Sequence, residues 1–257
     1  MQPMFKFIKD WHLRKIDRVQ YDQNCFRLTF DRVPNLGLLS DLERFKLRRL
    51  TQQFMLEKRF FGAQGLDVDL PKRTRIAQLA CWPVLHLGFE RLRGWHEVIV
   101  YPGGFRAHRQ DVEQDTGVVH EWDEDLAGES WDEGPLVISW EDLEADLDAP
   151  GDAQNVVVHE IAHKLDALSG ISDGAPPLPR HIDPRRWEQD FREAYEQLCV
   201  LADADENLAP IDPYAATSPA EFFAVATEYH FLAPQLLHTA YPKVAALVRA
   251  FYAGAAH

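Results

Sequence analysis

Cysteine, basic charge and long apolar runs are all scarce in this 257-residue sequence. The three cysteines, Cys25, Cys81 and Cys199, stand far apart with no C-x-x-C spacing, which excludes a disulfide framework and favours a reducing compartment. We expect all three thiols to be buried and unreactive. The longest apolar run, residues 79–89, is interrupted by Pro83 and is too short to span a bilayer, so no membrane partner is expected.

The N-terminus contains neither an apolar segment of signal-peptide length nor a small-residue cleavage site, so we expect a cytoplasmic location. Lysine and arginine number 27 against 41 aspartates and glutamates, which makes the formal net charge −14. Because surfaces that bind phosphate backbones usually carry the opposite balance, the sequence argues against a direct nucleic-acid partner.

The negative charge is concentrated between residues 111 and 148, where there are 15 acidic residues and no lysine or arginine. Such a run usually forms solvated loops and sheet edges, and this is the expected structure here. The alternative is functional: the run would attract cations or a basic protein towards a nearby cleft.

The length and the 46% hydrophobic content suit a globular protein with a sizeable core. No internal repeat and no linker rich in glycine and serine divides the chain. We therefore predict a single domain over residues 1–257, in which residues 1–40 form a poorly defined N-terminal segment.

Local signals predict an α+β fold that is mainly helical. A capping box, Ser40 with Glu43, opens a helix that should run to Phe61, and Pro71 opens another that should extend towards Leu87. Three short runs, at 96–101, 117–122 and 135–140, have the composition of strands. Further helices are expected at 187–201 and after Pro219.

The strongest chemical signal is His159-Glu160-x-x-His163, inside the apolar run 156–168. On a helix the two histidines stand one above the other, so both imidazoles can reach one metal ion. Glu160 lies about 100° round the helix, close to the open metal position, where it can accept a proton from water. The alternative is two partly exposed histidines on a surface helix, but the uncharged flanking residues favour a buried helix.

A hydrolytic zinc site needs a third protein ligand, and the candidates are Asp166, Glu221 and Glu228. Asp166 lies about 10 Å along the axis from His159, which suits a hydrogen-bond acceptor behind a ligand or at the helix end. Glu221 and Glu228 share a helix face, so one can bind the metal while the other supports it. A capping box from Ser218 to Glu221 would instead turn the Glu221 carboxylate back onto its own helix, and spacing alone does not decide.

Several motifs resemble, in the same order, the Mlc titration factor A family of bacterial zinc peptidases. The resemblance covers roughly residues 50–252 and is weaker over the first forty. The motifs are KRFFGAQGL at 58–66, HEVIVYPG at 96–103, GVVHE at 117–121, GESW at 128–131, GPLVISW at 134–140, HEIAHKLD at 159–166, DPYAA at 212–216 and SPAEFFAV at 218–225.

The resemblance implies a zincin-like fold of the glutamate type, related to the catalytic domain of anthrax lethal factor, with a small mixed sheet above the HExxH helix. It implies one Zn²⁺ per chain held by His159, His163 and Glu221, with Glu160 activating the zinc-bound water as general base. Tyr214 is expected to donate a hydrogen bond to the oxyanion.

The resemblance also implies the partners. The expected substrate is a peptide or protein, and the strand at 135–140 could offer its edge to an extended peptide. Members of the family are linked to an aminopeptidase-type activity and to binding a glucose-responsive transcriptional repressor. The alternative function is therefore a regulatory protein that sequesters a repressor of sugar uptake, with peptidase activity secondary.

Overall fold

The structure, a computed structural model of the chain, describes residues 14–103, 134–149 and 151–254. These residues are mostly helical with three short strands, which confirms the predicted α+β class. Among them, no helix combines the length and the apolar character that a bilayer crossing requires. In chain order the elements are α1 (Gln23–Arg32), α2 (Pro34–Gly37), α3 (Asp41–Glu57), β1 (Arg59–Gly62), α4 (Leu70–Cys81), β2 (Glu97–Tyr101), β3 (Leu136–Ser139), α5 (Trp140–Asp148), α6 (Val156–Asp166), α7 (Pro184–Ala204), α8 (Pro219–Leu232), α9 (Pro234–Ala240) and α10 (Pro242–Tyr252).

The described strands form one sheet in the order β1-β2-β3, and both pairings are parallel. The predicted strands at 96–101 and 135–140 are confirmed as β2 and β3, but the sheet that these strands form is parallel rather than mixed. The reason is the helical crossover: α4 carries the chain back between β1 and β2, so both strands can run the same way. The run 117–122 lies outside the described residues.

The predicted helix after Ser40 begins as expected and ends early. Ser40 accepts the backbone N–H of Glu43, and the Glu43 carboxylate accepts the N–H of Ser40 in return. The helix ends at Glu57, however, and Arg59–Gly62 form β1, whose register with β2 places Phe60 opposite Val98. Pairing with a distant strand therefore overrides the helical pattern in this short apolar run.

The helix predicted from Pro71 towards Leu87 is α4, and it ends at Cys81. Pro83 explains the early end, because proline has no N–H to donate to the Leu79 carbonyl one turn earlier, although Trp82 before it still has helical dihedral angles. The cysteines agree in part with the prediction: all three are free, Cys25 and Cys81 are buried, and Cys199 is half-buried.

Part of the acidic run is helix α5 rather than solvated loop. Glu144 pairs with Arg32 and Arg75, from two other helices. Asp146 is only 7% exposed, and its Oδ2 accepts the backbone N–H of Val156 at 2.8 Å. The Asp146 carboxylate is buried because it is paired, and it supports the start of α6, whereas Glu144 is paired but stays partly exposed.

The motif helix α6 packs against β3 and α8 and belongs to one continuous hydrophobic core. Val157, Val158, Ile161 and Ala162 are fully buried, which confirms the prediction of a buried helix. The predicted helix at 187–201 is also confirmed, as part of α7. The single domain over residues 1–257 stays a prediction.

Candidate metal centre

Two side chains hold the start of α6, the helix that carries the two motif histidines. Asn155 is its N-cap, and its side-chain oxygen accepts the N–H of Val158 at 3.1 Å. Asp146 accepts the N–H of Val156, so two of the N–H groups that lack a helical partner are satisfied. His159 then points into the interior at 5% exposure, and His163 follows one turn later, half-buried.

The three predicted ligands converge, although Glu221 belongs to a different helix. The Nε2 atoms of His159 and His163 are 3.1 Å apart. Glu221 Oε2 lies 2.9 Å from the first of them and 3.3 Å from the second. Of the described residues, these three form a His/Cys/Asp/Glu group whose possible ligand atoms all lie within 4.8 Å of one another.

This arrangement fits a small cation. A tetrahedral zinc ion with ligands about 2.0–2.2 Å away needs donor atoms roughly 3.3 Å apart, and the observed separations of 2.9, 3.1 and 3.3 Å are close to that. Two imidazole nitrogens and a carboxylate oxygen meet here in a largely buried place. A positive charge held among the three atoms is favourable there, because all three can act as its ligands.

The position of Glu221 follows from the start of α8. Ser218 caps this helix by accepting the Glu221 N–H at 3.1 Å, and Pro219 occupies its first turn, as predicted. The Glu221 carboxylate turns towards the two imidazoles, so the cap fixes the backbone while the side chain faces the site. Although burial alone would raise it, the neighbouring imidazoles of His159 and His163 hold the pKa of Glu221 well below its usual range.

Glu228, seven residues further along α8, takes the supporting place behind His159. Its Oε2 lies 2.8 Å from His159 Nδ1, and its Oε1 accepts the backbone N–H of Asn155 at 2.6 Å. Burial disfavours a charged His159 imidazole, but the carboxylates of Glu228 and Glu221 outweigh it and raise its pKa to about 10. The two glutamates therefore contact opposite nitrogens of one ring.

Asp166 lies at the end of α6. It is not among the three donors, and its side chain stabilises a loop instead. It is fully buried, and its Oδ2 accepts the N–H of Gly174 at 2.8 Å. Gly174 has a φ of +82°, and a Cβ there would come within 2.6 Å of the Pro219 carbonyl oxygen, so only glycine fits. Burial raises the pKa of Asp166 to about 6. This is the helix-end role that the sequence offered as one alternative.

The two predicted catalytic residues are both half-buried, and each lies near His159, one in sequence and one in space. Glu160 is half-buried on α6, and its charge is among those that raise the pKa of His159. Tyr214 lies in the short 3-10 turn Pro213–Ala216, with its ring centroid 6.2 Å from that of His159. Asp212 accepts the Tyr214 N–H at 2.9 Å and so fixes the start of the turn.

Three contributing residues were not identified from the sequence: Asn155, Asp146 and Tyr195. Asn155 directly before an apolar helical run is a typical N-cap signal and could have been recognised. Asp146 has no such signal, because it stands among many acidic residues. Tyr195, whose hydroxyl donates to the Ala216 carbonyl at 3.1 Å, closes the Tyr214 turn from another helix.

Two imidazoles one helical turn apart and a carboxylate from a second helix are the donor set of hydrolytic zinc enzymes such as metallopeptidases, and this is the class that the site fits. The chain belongs to the glucose-regulated metallo-peptidase M90 family, whose model matches residues 8–253. The match begins near the N-terminus, so it includes most of the first forty residues, where the motif resemblance was weak.

Relatives of this chain include proteins named Mlc titration factor A. Mlc titration factor A of Cronobacter sakazakii is 41% identical over 213 residues, which is 82% of this chain and 79% of that protein. The protein of the same name from Klebsiella pneumoniae strain 342 is 42% identical over 211 residues, 82% and 78% of the two chains. That of Escherichia coli K12 is 40% identical over 214 residues, 82% and 79% of the two chains.

Proposed function

We propose that this chain is a zinc-dependent peptidase in which His159, His163 and Glu221 hold the ion. The observation that carries the proposal is the convergence of three donor atoms from α6 and α8 at separations suited to zinc. Membership of a metallopeptidase family supports the same chemistry. The proposal includes one ion per chain and the cytoplasmic location expected from the sequence.

A zinc ion bound by these residues supplies Lewis-acid chemistry, lowering the pKa of water and polarising a peptide carbonyl. In the proposed reaction, Glu160 accepts the proton that water loses as its oxygen attacks the carbonyl carbon. When the C–N bond breaks, Glu160 returns that proton to the leaving amine. The residue begins and ends the cycle as a carboxylate, so the proton balance closes.

Tyr214 is proposed to stabilise the oxyanion that forms during the attack. Its ring lies beside that of His159. Hydrogen bonds to Asp212 and from Tyr195 hold the turn that carries it, so the backbone position of Tyr214 is fixed. A preorganised donor of this kind acts where charge develops in the transition state. More specifically, we propose that the chain removes residues from the free N-terminus of a peptide, as an aminopeptidase does.

The test is metal analysis of the purified protein together with hydrolysis of a broad peptide library, half of it N-terminally acetylated. We expect about one zinc ion per chain and cleavage that a chelator abolishes and added zinc restores. Cleavage of only the free-amine peptides would support the aminopeptidase form. Zinc-loaded protein that cleaves neither half would contradict the peptidase proposal.

The second candidate is a regulatory binding protein that sequesters a transcriptional repressor of sugar uptake. Its support is the name of the relatives, Mlc titration factor A, which describes those proteins as titrating Mlc. The test is titration of an Mlc-type repressor into the Glu160→Gln protein. Binding that survives this substitution would separate the regulatory role from hydrolysis, and absence of binding to the wild type would exclude it.

A further inference from the structure

One buried carboxylate connects the two helices that bring the metal donors together. Glu228 is 4% exposed, and each of its two oxygens has a different hydrogen-bond partner. The His159 ring approaches Oε2 through Nδ1 at 2.8 Å, and the Asn155 backbone N–H approaches Oε1 at 2.6 Å. Glu228 stands on α8 with Glu221, while its two partners belong to α6 and its N-cap.

We propose that Glu228 is a positioning residue that keeps the proton of His159 on Nδ1 and so leaves Nε2 as the metal ligand. The inference rests on the proposed zinc site. A neutral imidazole carries one proton, and the hydrogen bond made by one nitrogen decides which nitrogen is free to bind a metal. Because Glu228 offers only acceptors, the proton belongs on the nitrogen that faces it.

The Asn155 contact explains why a carboxylate is required at this position. A backbone N–H can only donate, so one oxygen of Glu228 is already committed as an acceptor. A glutamine could serve Asn155 with its oxygen, but its NH₂ group would then face His159 Nδ1 and favour the opposite tautomer. If the amide turned round, the N–H of Asn155 would lose its acceptor instead.

Glu228 also ties the position of the ligand helices to the orientation of the ring. Asn155 caps α6 through its side chain and donates to Glu228 through its backbone, four residues before His159. The orientation of the His159 ring is therefore linked to the position of the start of α6. Both are also linked to α8, the helix that carries Glu221. The Glu228 carboxylate therefore determines both the rotation of the His159 ring and the nitrogen that carries its proton.

The experiment compares zinc affinity in the wild type, Glu228→Gln and a control, Asp190→Asn, by competition with a chelator. Asp190 is a suitable control, because it is also a largely buried carboxylate on a helix, and it pairs with Arg186 and Lys243 rather than with a proposed ligand. We expect Glu228→Gln to bind zinc about 10- to 100-fold more weakly than the wild type. Asp190→Asn should stay close to wild type.

A second measurement needs no variant and covers the case in which Glu228→Gln does not fold. In a long-range ¹H–¹⁵N spectrum of the zinc-loaded wild type, His159 should show its proton on Nδ1 and the metal on Nε2. Metal on Nδ1 would overturn the inference. So would a Glu228→Gln protein that is folded and binds zinc as tightly as the wild type, or an equal loss of affinity in Asp190→Asn.

The outcomes also separate this inference from the proposed function. A wild-type protein that binds no zinc would overturn both. A wild type that binds zinc and hydrolyses peptides, beside a Glu228→Gln protein of unchanged affinity, would overturn the inference alone. Weaker zinc binding in Glu228→Gln, with a wild type that binds zinc but cleaves nothing, would leave Glu228 as the positioning residue of a zinc site that is not a peptidase.

Discussion

Glu221 Oε2 lies 2.9 Å from His159 Nε2, although 62 positions separate the two residues in the chain. The proximity is produced by the packing of α8 against α6, because neither helix contains all three donor atoms. Metal binding should therefore depend on both helices, and the loss of a single donor should be enough to release the ion.

We expect Glu221→Ala and His163→Ala each to lose stoichiometric zinc at neutral pH, since two remaining protein donors hold the ion much more weakly than three. Metal analysis after dialysis measures the effect. His181→Ala is the control, because His181 is an exposed histidine that contacts the carbonyl of Ala250, and it should keep the ion. Full zinc content in Glu221→Ala would show that the third ligand is a different residue.

Glu160→Gln should keep its zinc and lose peptide hydrolysis. The amide cannot accept a proton from water, and general acid-base catalysis of this kind contributes about 10²- to 10⁴-fold in rate. Parallel measurements of kcat and zinc content check the prediction, with Glu196→Gln, on the exposed face of α7, as the control. Undiminished kcat in the Glu160 variant would assign the general base elsewhere.

Tyr214→Phe should lower kcat by about 100-fold while KM and zinc content change little. The hydroxyl is proposed to act on the oxyanion, and losing one such donor costs roughly this much in the transition state alone. Tyr21→Phe provides the control, since Tyr21 packs on Phe26 near the N-terminus. A rise in KM with kcat preserved would instead indicate that Tyr214 contributes to substrate binding.

Asp166→Asn should remove one pH-dependent contribution to the free energy of unfolding. Burial raises the pKa of folded Asp166 to about 6, above its value of 3.8 in the unfolded chain, so the protonated form is favoured by folding. This stabilisation is fully present below the unfolded pKa and is lost as pH rises through the folded pKa. The asparagine keeps an acceptor for the Gly174 N–H without titrating.

The unfolding free energy of the wild type, relative to Asp166→Asn, should therefore fall by about 2 kcal/mol between pH 4 and pH 7. Urea unfolding in the presence of a chelator measures it, because the other titrations are common to both proteins and cancel in the difference. A difference that does not vary across this range would mean that Asp166 has a similar pKa in the folded and unfolded states.

The sequence predicted a structural feature correctly wherever all the residues that determine it lie in one short segment. The HExxH spacing predicts a buried helix with two histidines on one face, and the capping residues Ser40 and Ser218 predict where two helices begin. These features depend on contacts within a single turn of helix, so the local order of residues determines them. The membership of the zinc-peptidase family also followed from motifs that occur in a given order along the chain.

Tertiary structure decided the features that depend on distant partners. Arg59–Gly62 became a strand only because β2 lies beside it, and the parallel direction of the sheet depends on the helical crossover. The sequence could not separate Glu221 from Glu228, since both stand on one helix face. The packing of α8 on α6 separates them, with one carboxylate facing the two Nε2 atoms and the other facing Nδ1 and the helix cap. Local propensity acts over a few residues, whereas the roles of these two groups depend on which nitrogen of a single imidazole each one meets.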